Sequence, residues 1–200
     1  MQPADDVLIE RSKNGDLDAF EQIVRRYENK VYNIAYRFIG NHADASDLAQ
    51  EAFLRIYQAL PGFRSDASLM TWIYRITSNV CRDEIRRQQR AHVIYIDSGP
   101  GENNPFNINQ LTCQGPTPEE VVEQHEFNRL VQKCLNELTE EHRLILIARE
   151  MQDLSYEEIA EVLQCSLGTV KSRLSRARHA FKEKYLSYVE HFRQETRLAR

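Results

Sequence analysis

From residue 155 to residue 184 the chain reads SYEEIAEVLQCSLGTVKSRLSRARHAFKEK, a pattern typical of two helices separated by a short turn. Ser155 and Glu158 have the spacing of a capping box, which predicts the start of the first helix. That helix is expected to end near Gln164, and Ser166 is placed to cap the second. Two helices joined by so short a turn form a helix-turn-helix, which we therefore predict here.

Charge separates the two helices of this unit. Residues 150–161 contain five acidic and no basic residues, whereas residues 168–184 contain six basic residues and one acidic. We expect Leu167, Val170 and Leu174 to pack inward at helical spacing. Arg, Lys, Ser and Thr on the outer side suit contacts with base edges or phosphates. The candidates are Thr169, Lys171, Ser172, Arg173, Ser175 and Arg176, with Arg178 extending the basic face.

The rest of the chain also predicts helices. Only seven Gly and six Pro occur in 200 residues, and several of them cluster in one segment, so helix breakers are rare elsewhere. Apolar stripes at helical spacing cover residues 17–38, 48–60 and 72–85. Asp16 is placed to cap the first of these helices, and Asn41 or Asp44 the second, which Pro61-Gly62 ends.

A change of composition separates two parts of the chain. The stretch SGPGENNPFNINQ lacks any sustained apolar period, and Thr117 and Glu120 after it have capping-box spacing. We therefore predict an all-α fold of two small helical bundles joined by a flexible linker, the second bundle containing the helix-turn-helix. The predicted boundaries are residues 1–91, 92–117 and 118–200.

Two surfaces of the amino-terminal part keep alternative interpretations. Residues 69–90 combine aromatic and basic side chains, which suit unstacked single-stranded bases, but Trp72 and Ile73 at helical spacing fit a buried core better. The helix around Asp47 has an acidic and polar face. That face is typical of a solvated surface, and docking onto a partner protein is the alternative.

Several classes of protein find no support in the sequence. The four cysteines are far apart with no CxxC pair, and no metal cluster, phosphate loop, nucleophile elbow or cofactor motif occurs, which argues against an enzyme. The amino terminus does not resemble a secretory signal, and no apolar run approaches a membrane span, so we expect a soluble, cytoplasmic protein. A conventional regulator with an amino-terminal sensor domain is the main rival, although no strand periodicity appears there.

Taken together, three stretches resemble the extracytoplasmic-function (ECF) group of bacterial sigma-70 factors. DLAQEAFLRIYQAL at Asp47 resembles the region-two helix that docks on the RNA polymerase clamp. FRSDASLMTWIYRITSNVCRDEIRRQ at Phe63 resembles the segment that melts and reads the −10 element. LSYEEIAEVLQCSLGTVKSRLSRARHAF at Leu154 resembles region four, which reads the −35 element.

The resemblance implies a role for each matching position. The residues implied in polymerase binding are Asp47, Gln50, Glu51 and Phe53. Those implied in −10 recognition are the base-capturing loop of Phe63, Arg64, Ser65, Asp66, Ala67 and Ser68, together with Asn79 and Arg82. Residues 169–178 would face the −35 major groove through the candidates given above. The implied partners are core RNA polymerase, promoter DNA and an anti-sigma factor.

The resemblance also implies a mechanism in which polymerase supplies catalysis and this chain supplies promoter address and strand opening. The net charge of −4 disfavours promiscuous DNA binding by the free factor. We expect the free factor to bind promoters poorly until polymerase holds its two parts at the right separation.

Overall fold

The computed structural model describes residues 4–64, 67–92 and 118–198, and helices are the only regular secondary structure among them. The predicted all-α class is therefore confirmed. The helices are α1 (Asp5–Lys13), α2 (Leu17–Ile39), α3 (His42–Ala59), α4 (Leu69–His92), α5 (Pro118–Asn136), α6 (Glu140–Leu146), α7 (Tyr156–Leu163) and α8 (Leu167–Leu198). A 3₁₀ turn, Leu60–Gly62, follows α3, and a π-helical turn, Ile147–Met151, follows α6.

The ends of the amino-terminal helices follow the sequence signals. The side chain of Asp16 accepts a hydrogen bond from the backbone N–H of Ala19 at 3.0 Å, as its predicted capping role requires. Asn41 caps α3 by accepting from the N–H of Asp44 at 2.8 Å. Gly40 ends α2 with φ of 85°, a left-handed conformation that glycine adopts without steric cost.

Helix α1 is a finding that the sequence did not predict as a separate element. It is only nine residues long, and too few apolar positions recur in it to form a stripe. It is nevertheless fixed to α2, because Leu8 and Ile9 are buried and Asp5 bonds both Arg26 and Tyr27. The described residues of the amino-terminal part therefore form four α-helices rather than the three that the stripes indicated.

The core of this part lies between α2, α3 and α4. Ile23 and Phe38 of α2 are fully buried, and Ala45 and Ala52 of α3 are small enough for the two helices to approach closely. Trp72 and Ile73 of α4 are also buried. The core interpretation of Trp72 is thus the one that the structure supports.

The carboxy-terminal part buries α6 and the inner face of α8. Ile145 and Ile147 are fully buried, and Val170 and Leu174 of α8 pack against the same core. The prediction for Leu167 was wrong, since this side chain is 41% exposed. Leu167 is the first residue of α8, where no preceding turn covers it.

The two parts pack directly on one another. The Tyr74 hydroxyl donates to the Leu144 carbonyl at 2.7 Å, and the Gln132 side chain donates to the Arg37 carbonyl at 3.1 Å. The Arg143 guanidinium donates to the carbonyl of Phe38. Their buried apolar residues form one continuous cluster, so α4 lies beside α6 and α7. The linker was predicted over residues 92–117; His92 is the last residue of α4, and residues 93–117, Thr117 among them, lie outside the described residues.

Candidate nucleic-acid interface

The helix-turn-helix has the caps that its sequence predicted. Ser155 Oγ accepts from the N–H of Glu158 at 3.1 Å, and Glu158 Oε2 accepts from the N–H of Ser155 at 2.8 Å, which is a complete capping box. Gln164 ends α7 in a left-handed conformation with φ of 50°. Ser166 Oγ then accepts from the N–H of Thr169 at 3.2 Å and starts α8. The predicted short turn between the two helices is therefore present.

The predicted DNA-facing side chains lie on the outer side of α8. Val170, Leu174 and Ala177 are buried and hold the helix against the core. The exposed candidates are Lys171, Ser172, Ser175, Arg176 and Arg178, whereas Thr169 and Arg173 are half-buried. Helix α8 therefore has two faces. One face packs against the core, and the other is polar and basic.

Arg178 differs from the other basic candidates on α8, Lys171, Arg173 and Arg176, because it has an acidic partner. Its Nε and Nη2 atoms donate to one carboxylate oxygen of Glu150 at 2.9 and 2.6 Å, and hydrogen bonding to Glu150 raises the pKa of Arg178. Both side chains are about half exposed, at 52% and 45%, so the pair adds little stability. It links α8 to the π-helical turn, and DNA contact by Arg178 stays a prediction.

The loop before α4 is only partly described. Phe63 is buried, with its ring 4.9 Å from that of Trp72, so here it supports the loop from beneath. Arg64 and Ser68 are exposed and Ala67 is half-buried. Ser65 and Asp66, which the sequence also assigned to the loop, lie outside the described residues.

Helix α4 presents Arg82 and Arg86 to the carboxy-terminal part of the chain, whereas Arg87 pairs with Glu84 of its own helix. Arg82 pairs with Glu140 of α6, and Arg86 reaches the same carboxylate oxygen at 3.3 Å. Asn79, one turn before Arg82, is exposed. A cleft of about 350 Å³ runs beside these residues, and its lining includes Arg75 and Arg173 from opposite sides. The structure thus brings two residues that the sequence assigned to DNA contact, Arg82 of α4 and Arg173 of α8, to one cleft.

The amino-terminal end of α4 holds a second acidic contact that sequence reasoning missed. Glu158 Oε1 accepts from Thr71 Oγ1 at 2.6 Å and from Ser68 Oγ at 3.0 Å. Partial burial raises the pKa of Glu158, but the hydrogen bonds from Thr71, the Ser155 backbone and Ser68 outweigh it, and the net pKa is lowered. The sequence carries no signal for this contact, because Glu158 is 87 residues from Thr71 and 90 residues from Ser68 along the chain.

The outer face of α3 carries the side chains predicted to bind polymerase. Asp47 and Gln50 are exposed, and Glu51 and Phe53 are half-buried, with Glu51 paired to Arg55 at 2.8 Å. Sequence reasoning missed Leu54, which is 59% exposed, and it counted Tyr57, which is 41% exposed, in the apolar stripe over residues 48–60. Residues 47, 50, 54 and 57 have the spacing i, i+3, i+7 and i+10, which places Leu54 and Tyr57 on one face with Asp47 and Gln50, and this pattern was the available signal.

The described residues include no cluster of metal ligands, and one of their thiols, that of Cys81, is deeply buried. No group of three or more His, Cys, Asp or Glu side chains among them is arranged to hold a metal ion. Burial raises the pKa of Cys81 to about 12, so this thiol is protonated at neutral pH. No helix within residues 4–64, 67–92 and 118–198 combines the length and apolar character needed to cross a membrane.

Two family models match the chain in sequence order. Residues 23–91 match sigma-70 region 2, and residues 128–180 match sigma-70 region 4. Among curated proteins, the ECF RNA polymerase sigma-E factor of Escherichia coli strain K12 is 36% identical over 92% of this chain and 95% of its own length. The ECF RNA polymerase sigma factor SigW of Bacillus subtilis is 35% identical over 88% and 93%.

Two solved structures share the fold. One is CnrH in complex with the cytosolic domain of CnrY, with a TM-score of 0.64, 24% identity and coverage of 90% of this chain and 96% of that chain. The other is the sigma factor RpoE in complex with the anti-sigma factor NepR from Bartonella quintana, with a TM-score of 0.60, 23% identity and coverage of 82% and 95%. At these identities the likeness concerns the fold alone.

Proposed function

The chain belongs to the sigma-70 family, in its ECF group, and from this membership we propose that it binds core RNA polymerase and directs promoter-specific initiation of transcription. The observation that carries the proposal is the order of the two matched regions, the second of which presents an exposed basic helix after a capped turn. The family consists of transcription factors rather than enzymes, so polymerase supplies the catalysis.

The proposed division of labour follows the sequence boundaries. Residues 1–91 dock on polymerase and read and open the −10 element, residues 92–117 connect, and residues 118–200 read the −35 element. The match to region 2 within the first range and to region 4 within the last supports this division.

For the −35 element, α8 enters the major groove of duplex DNA. Its exposed Lys171 and Arg176 suit guanine edges or phosphates, and Ser172 and Ser175 suit either. Arg178 joins them only by leaving Glu150, an exchange between two exposed charges that costs little. The half-buried Thr169 and Arg173 contact DNA from the flank of the helix.

For the −10 element, α4 and the loop before it hold a single strand. Extruding a base costs a few kcal/mol, and a shaped pocket with stacking has to offset that cost. Arg64 and Ser68 border the loop, and Asn79 and Arg82 continue along the helix. Phe63 contributes by supporting the loop through its contact with Trp72.

Docking on polymerase falls to the outer face of α3. Asp47 and Gln50 provide the polar contacts, and the exposed Leu54 and Tyr57 beside them provide apolar area. Large exposed apolar side chains on a polar face are characteristic of the centre of a protein interface.

Control by an anti-sigma factor is the further part of this proposal. Both solved relatives of the same fold were determined with a second protein bound, and for RpoE that protein is an anti-sigma factor. We place the chain with polymerase in the cytoplasm, where the named relatives' polymerase partner acts.

The test is in vitro transcription of a genomic library by core polymerase with and without this chain. Discrete new transcripts sharing two upstream elements are the expected result. Asp47→Arg combined with Gln50→Arg should abolish them and remove co-elution with core polymerase. Glu28→Arg combined with Asn29→Arg, which changes the charge equally on exposed positions of α2, is the matched control. If the wild-type chain neither co-eluted nor produced transcripts, a conventional regulator would replace this proposal.

A further inference from the structure

Two guanidinium groups without anionic partners line the cleft beside α4. Arg75 belongs to α4 and Arg173 to α8, and both side chains are half-buried. Within the described residues neither guanidinium makes an ion pair or a hydrogen bond, whereas Arg82 in the same lining pairs with Glu140. Because salt screens partly buried charges less than exposed ones, two such cations in one cleft repel each other. The cleft therefore favours an anion between them.

The carboxylates near the cleft leave the charge of these two cations uncompensated. Glu140 is already bonded to Arg82 and Arg86. Glu141, the acidic residue among the described lining residues, is exposed and makes no ion pair there. The lining thus keeps an excess of positive charge in a chain whose net charge is −4. Such a chain has no general attraction for anions, so anion binding here would depend on this local arrangement.

Neutral donors accompany the two cations. Asn79 of α4 and Gln164, in the turn after α7, line the same cleft, and neither side-chain amide is hydrogen-bonded within the described residues. Each amide provides two N–H donors. Leu144, which is 3% exposed, adds an apolar surface to the lining. Where a site is partly shielded from water, hydrogen bonds to a charged ligand become stronger. Donors from three separate segments of the chain therefore surround one partly shielded space.

We propose that this cleft binds a small phosphorylated compound, a phosphate monoester or a diphosphate, whose phosphate oxygens accept from Arg75 and Arg173. Planar guanidinium groups match phosphate oxygens in bidentate geometry. A phosphate monoester carries about −1.5 to −2 charges at pH 7, so one group can pair with both arginines, whereas a carboxylate carries a single charge. The cleft volume of about 350 Å³ suits a small molecule. The inference goes beyond the proposed function, because it concerns the free chain and requires neither polymerase nor promoter DNA.

The test is calorimetric titration of the full chain with sodium pyrophosphate at 0.15 M salt and neutral pH. The wild-type chain should bind one pyrophosphate. Arg75→Gln combined with Arg173→Gln should weaken binding by at least about tenfold, because each substitution removes hydrogen bonds to a charged group. Arg90→Gln combined with Arg176→Gln is the matched control. It removes the same charge from exposed positions of the same two helices outside this cleft, and its affinity should equal that of the wild-type chain.

Two results would overturn the proposal. Equal weakening in both double variants would show a general effect of charge rather than a site. A wild-type chain that does not bind pyrophosphate would exclude a site for small phosphates. Because a DNA strand is the other source of phosphate groups, a fluorescein-labelled oligothymidine is titrated in parallel. If the Arg75 and Arg173 substitutions weakened binding of that strand while the wild-type chain bound no pyrophosphate, the two arginines would serve strand phosphates instead.

A second variant keeps the test decisive if the double variant does not fold. Asn79→Asp places a carboxylate in the lining at an exposed position, where folding tolerates it, and it should weaken pyrophosphate binding. Asn29→Asp adds the same charge at an exposed position of α2 and should not. Equal affinities of these two variants would contradict the proposal. Transcription with core polymerase separates the two proposals: initiation without pyrophosphate binding would refute the cleft site alone, and pyrophosphate binding without initiation would refute the proposed function alone.

Discussion

Helices α4 and α8 carry similar cations but differ in what those cations already contact. Arg82 and Arg86 of α4 share the carboxylate of Glu140, which belongs to the other part of the chain. On α8, Lys171 has no ion pair within the described residues, and Arg176 bonds only the Ser172 carbonyl of its own helix. The cations of a basic helix are thus free to bind a ligand, or already paired, depending on where the other part of the chain places its carboxylates.

This difference implies an order of events at a promoter. We expect helix α8 to meet duplex DNA while the two parts remain packed, since Lys171, Ser172, Ser175 and Arg176 are exposed. Arg173 differs from them because it lines the cleft beside α4. Helix α4 has to lose α6 and α7 first. If α4 holds the −10 strand, as proposed, the strand that appears when the duplex opens meets a surface that is uncovered when α6 and α7 move away from it.

The largest expected effect comes from the joint between the two parts. Arg143→Met should lower the free energy of unfolding by about 2–4 kcal/mol, because it leaves the carbonyls of Phe38 and Asn136 without donors at the ends of α2 and α5. Burial lowers the pKa of Arg143, a cost that Met removes, but unpaired buried carbonyls outweigh that gain. Urea unfolding monitored by Trp72 fluorescence and by circular dichroism measures the change.

Arg149→Met is the matched control for this substitution. Arg149 donates to the Leu154 carbonyl at 2.8 Å, a contact within the carboxy-terminal part. It should destabilise less than Arg143→Met and leave the contacts of α4 unchanged. If the two variants lowered the free energy of unfolding equally, the Arg143 contacts between the two parts would contribute no more than the local Arg149 hydrogen bond. The comparison of α4 with α8 would then not be supported, because it depends on stable packing of the two parts.

Contacts between residues close together in the sequence were predicted, whereas contacts between residues far apart in the sequence were not. Ser155 and Glu158, three residues apart, predicted their capping box correctly, and the buried stripe of Val170 and Leu174 followed from helical spacing. The contact of Glu158 with Thr71 spans 87 residues and leaves no periodic signal. The Glu158 carboxylate has a local partner, Ser155, and a remote partner, Thr71. Only the local contact can be predicted from neighbouring residues in the sequence.

The errors have similarly local causes. Leu167 fits the apolar spacing of α8 but lies at its first turn, where helical periodicity does not imply burial. Apolar spacing also does not distinguish a regular helix from the π-helical turn that follows α6 at Ile147. The assignments of residues to DNA and polymerase stay predictions.

An intermediate effect is expected from matched truncations on the two helices. Arg176→Ala should weaken binding of a duplex carrying the selected −35 element by about 1–3 kcal/mol if it reads a base. Arg82→Ala should leave that duplex affinity unchanged, since Arg82 faces Glu140 in the packed form, and should reduce strand opening in the polymerase complex. Titrations at several salt concentrations measure both variants.

The salt dependence distinguishes the two possible roles of Arg176. A contact with phosphate would weaken binding to all sequences alike and lower the salt slope by about one. If Arg82→Ala weakened duplex binding by the free chain as much as Arg176→Ala, then α4 would be open already, and the contrast between the helices would be broken.

The smallest expected effect is a pH dependence of the packed form. Hydrogen bonds from Thr71, the Ser155 backbone and Ser68 hold the pKa of Glu158 below its ordinary 4.5 despite the raising effect of partial burial. A depressed carboxyl pKa favours the packed form above the ordinary pKa, and this contribution is lost as the pH falls through the lowered value. Energy transfer between dyes at the exposed positions Gln58 and Ser187 should therefore fall on acidification below about pH 4.5, as protonation of Glu158 weakens its hydrogen bonds with Thr71 and Ser68. Other carboxyl groups titrate in the same pH range, so the Glu158→Gln variant serves as the control. Its energy transfer should change less over this pH range than that of the wild-type chain. Parallel curves for the variant and the wild-type chain would mean that Glu158 contributes nothing to covering α4, and the covering role would then fall to Glu140 alone.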